Sequence, residues 1–127
     1  MALILLVDDD PQFRKTVRLA LDSNDHDVRE AVDGQEAVKA VEANHPDLIL
    51  LDWHLPKLDG LKACKAIRAN SHVPIIMMSA NRSYSKQVAL DAGANDYLTK
   101  PFSFIDLLNR IGSALAGVSE GAEPASL

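Results

Sequence analysis

Short uninterrupted apolar runs alternate along this chain with longer stretches whose apolar residues recur at three- and four-residue intervals. These are the patterns of a strand buried on both faces and of an amphipathic helix. Residues 2–7 form the first run, which stops at Asp8-Asp9-Asp10 and predicts a strand. Pro11 then sits at a first-turn position behind Asp10 as N-cap. With Phe13, Val17, Ala20 and Leu21 at helical spacing, it predicts a helix to about residue 23. A short strand follows over residues 26–31. Asp33-Gly34 closes it and opens a helix carrying Ala37, Val38 and Val41, which the turn at His45-Pro46 ends. The alternation continues with strands over 48–51, 73–78 and 96–99 and helices over 60–69, 84–92 and 104–115. The last helix places Phe104, Leu107, Leu108, Ile111 and Leu115 on one stripe. Ser103 and Asp106 at its start resemble a capping box, with Asp in place of Glu or Gln.

Five strands alternating with five helices predict an α/β fold, a single doubly wound five-stranded parallel sheet with helices on both faces. No internal repeat or low-complexity insert interrupts it. Residues 1–116 are expected to form the domain. Residues 117–127, rich in Ser, Gly, Glu and Pro, are expected to be a flexible tail or linker stump.

Composition narrows the function classes. A chain of 127 residues, 47% hydrophobic and 24% charged, suits one soluble domain whose core needs no staple. Cys64 is the one cysteine, so an internal disulfide or thiolate metal cluster is excluded and an intracellular, cytoplasmic setting is expected. The apolar runs are too short to span a bilayer, and the first lacks a basic leader, so neither membrane span nor signal peptide is expected. Thirteen Lys and Arg against eighteen Asp and Glu give a net charge of −5. That balance disfavours direct nucleic-acid binding by this domain, so any action on DNA would need a further domain or partner.

In an open α/β sheet, ligands bind beyond the carboxyl ends of the strands. There the chain delivers Asp8 and Asp9 after the first strand, Asp52 after the third, Ser79 after the fourth and Lys100 after the fifth. Each alone has an ordinary reading as a cap, a strand end or a loop. Together, three carboxylates at one edge repel one another unless a cation neutralises them. With no thiolate and no paired histidine at metal spacing, all-oxygen ligation argues for magnesium, with the lysine suited to phosphate oxygens. These residues alone reach an Mg²⁺-assisted phosphoryl site in which a carboxylate can act as nucleophile.

Four segments resemble the receiver domain of two-component response regulators. They are Leu5-Leu6-Val7-Asp8-Asp9-Asp10; Leu50-Leu51-Asp52-Trp53-His54-Leu55-Pro56 with Asp59-Gly60; Met78-Ser79-Ala80; and residues 93–102, which include Tyr97-Leu98-Thr99-Lys100-Pro101. The resemblance is strongest to receivers of winged-helix transcription regulators. It implies a flavodoxin-like sheet of order 2-1-3-4-5. It also implies that Asp52 is the phosphoacceptor nucleophile, served by a sensor histidine kinase or phosphotransfer protein. Asp9, Asp52 and the main-chain carbonyl of His54 would bind Mg²⁺, with Mn²⁺ as a substitute, and Asp8 would hold metal-bound water. Lys100 would pair with a phosphoryl oxygen. Ser79 and Tyr97 would be the switch pair, and the Lys100–Pro101 peptide would be cis.

His54 and Asn81 occupy the positions expected to set phosphoryl lifetime. Lys86, Asp96, Asp106 and Arg110 resemble the paired charges of a dimer face. On phosphorylation, Lys86 would meet Asp106, and Asp96 would meet Arg110, across a two-fold axis. The implied role is a signalling domain that catalyses only its own phosphorylation and dephosphorylation. It is expected to be either a single-domain regulator or the receiver of a longer chain. Two alternatives stand beside it. An aspartyl-phosphate hydrolase would use the same nucleophile but has the pattern D-x-D-x-T, which Asp8-Asp9-Asp10-Pro11-Gln12 departs from. A phosphate-independent interaction module would lack part of the acid, serine and lysine set, which here is complete.

Overall fold

The computed structural model describes residues 2–81 and 83–121 and has the expected elements in the expected order. They are β1 (Leu3–Val7), α1 (Pro11–Asp22), β2 (Asp27–Ala31), α2 (Gly34–Asn44), β3 (Leu48–Asp52), α3 (Gly60–Arg68), β4 (Ile75–Ser79), α4 (Lys86–Asp91), β5 (Asp96–Thr99) and α5 (Phe104–Gly121). All strand pairs are parallel, in the order β2-β1-β3-β4-β5.

Alternation along the strands divides the interior into two apolar layers. Leu5, Val7, Ile49, Leu51, Ile75 and Met77 pack with residues of α2, α3 and α4, such as Val41, Cys64 and Ala89. Ile4, Leu6, Leu48, Leu50, Ile76 and Met78 pack with Val17 and Leu21 of α1 and Leu107 and Ile111 of α5. Because helices cover both faces, β1, β3 and β4 read as unbroken apolar runs. Cys64 is fully enclosed and behaves as a small core side chain.

Helix starts follow from their caps. Asp10, Asp33, Asp59 and Ser85 each accept a hydrogen bond from a first-turn amide of α1, α2, α3 and α4. Ser103 Oγ accepts from the Asp106 amide at 3.0 Å, the expected half of a capping box. α4 begins at Lys86 rather than at residue 84, because Ser85 Oγ takes the Val88 amide while Tyr84 is drawn against Trp53. β4 begins at Ile75 rather than at residue 73, because Pro74 has no N–H to give a ladder. α5 runs to Gly121, past the expected end at residue 115, and no proline occurs before Pro124 to remove a helical donor. The tail expected over 117–127 therefore begins as helix, and its residues 122–127 lie outside the described residues.

One glycine decides how the site is built. A Cβ at Gly60 would lie 2.1 Å from the main-chain oxygen of Asp52. Only glycine lets α3 start so close to the end of β3, and its N–H donates to the Trp53 carbonyl at 2.7 Å.

Candidate functional site

Strand register brings the predicted residues to one level. Val7 lies beside Leu51, Asp52 beside Met78, and Ser79 beside Thr99. One step further along, Asp8 follows Val7 and Lys100 follows Thr99, and the Lys100 amide donates to the Ser79 carbonyl at 2.8 Å. The chain reverses its direction of winding between β1 and β3, where an open α/β sheet has its crevice. A cleft of about 420 Å³ opens there, lined among others by Asp8, Asp9, Asp52, His54, Ser79 and Lys100.

Asp8 and Asp52 are 1% and 6% exposed, whereas Asp9 faces solvent. Burial of two acids at one point needs partners. Lys100 Nζ lies 2.6 Å from Asp8 Oδ2 and 3.4 Å from Asp52 Oδ1. Asp8 Oδ1 also accepts from the Asp10 amide at 3.0 Å. The Asp8 carbonyl takes the Arg14 guanidinium at 2.7 Å, and Arg14 is itself paired with Glu30 at 2.8 Å. Desolvation first, and the neighbouring Asp8 charge second, push the Asp52 carboxyl up to about 6 against the opposing pull of Lys100.

Carboxylate oxygens from Asp8, Asp9 and Asp52 lie within 4.8 Å of one another. Three carboxylates facing one ammonium leave a net negative site, and the cluster contains neither sulfur nor imidazole nitrogen. That donor set fits a hard divalent cation bound through oxygen.

Around this centre the other predicted residues fall as follows. Ser79 is buried, and its Oγ accepts from the Asn81 amide at 3.0 Å. Asn81 and His54 are exposed at the rim of the cleft. Tyr97 is half-buried, edge-on to Trp53 with ring centroids 5.9 Å apart, and its hydroxyl donates to the Tyr84 carbonyl at 3.5 Å. The Lys100–Pro101 peptide is cis, as the resemblance implies.

Within one chain, Arg110 lies 2.7 Å from Asp96 and 3.2 Å from Asp106. α5 runs beside the start of β5, so a forked guanidinium spans both carboxylates. Lys86 is exposed and has no ion pair among the described residues.

Three neighbours of the site were not singled out for it by sequence. Phe13, read only as a helix-face residue, carries Lys100 Nζ 4.0 Å from its ring centroid. Arg14 holds the Asp8 carbonyl. Tyr84 stacks on Trp53 at 4.4 Å and lines the cleft. The available signal was Pro11, which fixes the first turn of α1 and so sets Phe13 and Arg14 beside the acids.

Comparison with known proteins follows the same lines. The sequence model of one family, the response regulator receiver domain, matches residues 4–112. The response regulator MprA of Mycobacterium sp. (strain KMS) is 42% identical over 125 residues, 97% of this chain and 54% of that protein. The chain thus spans about half the length of the curated relatives it matches. A receiver domain of the Francisella response regulator 1452 superposes with a TM-score of 0.88 at 34% identity, covering 93% of this chain and 99% of that one. The receiver domain of a Pseudomonas aeruginosa sensor histidine kinase, crystallised with a magnesium ion coordinated in its active-site cleft, gives 0.84 at 37% identity, covering 91% and 98%.

Proposed function

Because this chain belongs to the response regulator receiver family, we propose that Asp52 accepts a phosphoryl group from a phosphohistidine of a sensor histidine kinase or phosphotransfer protein. An Asp52 carboxylate oxygen attacks phosphorus, the P–N bond breaks, and the histidine nitrogen leaves with the electron pair and takes a proton from water. The product is an acyl phosphate on Asp52. Phosphoryl transfer asks for positioning and charge neutralisation rather than covalent help from the protein. Lys100 supplies a cation from one side, and Ser79 supplies a hydroxyl at the same level of the sheet. Asp8, Asp9, Asp52 and the His54 carbonyl would hold Mg²⁺, which neutralises phosphoryl charge when bound. Asp8, already occupied by the Asp10 amide and Lys100, suits the water-holding role.

The observation that carries this reading is the enclosure of Asp52, 6% exposed, beside one lysine and two further carboxylates. A buried acid left with an excess of like charge is poised to bind a cation, which offsets both that charge and the charge of an incoming phosphoryl group. The new phosphate brings about two negative charges to Ser79 and Lys100, enough to bias a bistable surface. Tyr97, packed on the tryptophan next to Asp52, carries that change to the α4-β5-α5 face. That face would then act on an output segment, a partner or a second copy of the chain. The reading includes a cytoplasmic setting. Among the described residues, no helix is long and apolar enough to cross a membrane.

The test is incubation with acetyl phosphate, with and without Mg²⁺, followed by an assay for hydroxylamine-labile phosphate. Label on the parent only with Mg²⁺, and none on Asp52→Asn, supports the reading. Label on Asp52→Asn overturns it.

A further inference from the structure

Lys100 holds three partners at once. Its ammonium lies 2.6 Å from Asp8 Oδ2, 3.4 Å from Asp52 Oδ1 and 4.0 Å from the centroid of the Phe13 ring. An ammonium has three N–H donors and no acceptor, so two carboxylates leave one donor for a third group. Asp8 and Asp52 are also the acids that a divalent cation and a phosphoryl group engage. The contacts that place Nζ before the reaction are therefore those that the reaction loosens. An aromatic face differs, because its quadrupole attracts the cation without binding metal or phosphate.

The ring is itself fixed. Phe13 lies in the first turn of α1, set by Pro11 and the Asp10 cap. Phe102 meets it nearly perpendicular, with ring centroids 6.0 Å apart and planes at 87°. Phe102 is two residues beyond Lys100, so one short segment supplies both the ammonium and the buttress of the ring that receives it. We propose that Phe13 is a positioning residue for phosphoryl transfer, its ring face holding the Lys100 ammonium at the cleft while Asp8 and Asp52 change partners.

This rests on Asp52 as the phosphoacceptor, and the experiment separates the two. Phosphorylation by acetyl phosphate is followed through Trp53 fluorescence, and Mg²⁺ affinity is measured separately without phosphodonor. Phe13 is half-buried, so Phe13→Leu keeps an apolar side chain at the site but loses the π face, whereas Phe13→Tyr keeps it. Phe13→Leu is expected to be phosphorylated about three- to tenfold more slowly, with Mg²⁺ affinity within about twofold of the parent. Phe13→Tyr should restore the rate. A parent-like rate in Phe13→Leu, an equal loss in Mg²⁺ affinity, or a Phe13→Tyr as slow as Phe13→Leu overturns the proposal. A parent that takes up no phosphate fails the phosphoacceptor reading itself, and this inference with it.

Discussion

Replacing Asp52 by Asn should make the magnesium-free protein more stable, and the gain should depend on pH. The folded carboxyl is held at about 6 against an ordinary 3.8. Between these values the native state keeps a proton that the unfolded chain releases. Stability is therefore full below about 3.8 and falls as pH rises towards 6 and through it. Two pH units correspond to about 3 kcal/mol, which the solvent-filled mouth of the cleft screens to about 2. Asn has the same shape, carries no charge, and leaves Lys100 its shorter contact with Asp8. Urea unfolding in EDTA, followed by circular dichroism, should give near-equal stabilities at pH 3.5. At pH 8 the variant should be ahead by about 2 kcal/mol. Magnesium, bound by the folded acids as proposed, should narrow that gap by stabilising the parent more than the variant. An Asp52→Asn protein no more stable than its parent at pH 8 would refute the account of Asp52 as an electrostatically costly acid.

Gly60→Ala should cost about 2 kcal/mol and slow phosphorylation, because the new Cβ would sit 2.1 Å from the Asp52 carbonyl; thermal melts and acetyl phosphate labelling check both. His54→Ala should speed loss of phosphate from Asp52 about twofold or more, the outcome expected of an imidazole at the rim of the cleft that screens attacking water; phosphate retention after donor removal decides it. Arg110→Glu should lose the pairs with Asp96 and Asp106, at a cost of about 1 kcal/mol, and weaken any dimer formed with beryllofluoride. Sedimentation of parent and variant, each with and without beryllofluoride, tests this. A variant that dimerises as well as the parent would move signalling to another surface.

The main elements could be read because strands buried on both faces leave unbroken apolar runs, and because each run that matters stops at a polar residue. Leu48 to Leu51 followed by Asp52 shows both at once. Strand order was less accessible. Alternation requires parallel strands but does not say that β3 lies on the far side of β1 from β2, so the order came from resemblance to receivers. Boundaries failed where a side chain made the decision. Tyr84 fits a helical period, yet it stacks on Trp53 and leaves Ser85 to start α4. The signs of the charges near the last helix were legible, but their distances within the chain were not. Arg110 satisfies two of them alone. Phe13 escaped notice because its period marks it as apolar packing, and nothing in that period reveals an ammonium above its ring.

The brevity of α4 bears on how a signal leaves the site. It has six residues, and Ala89 is its one buried residue. A helix that short cannot sustain itself in water, so its shape depends on the Ser85 cap and on the burial of Ala89. Tilting or unwinding it exposes little apolar surface, whereas moving α1 would pull Val17 and Leu21 out of the interior. Hydrogen exchange should find α4 amides opening at far lower free energy than those of the central strands. The fold thus places a short, lightly anchored helix one loop beyond Ser79. Should Ser79 shift when Asp52 is phosphorylated, that helix would cost little to redraw.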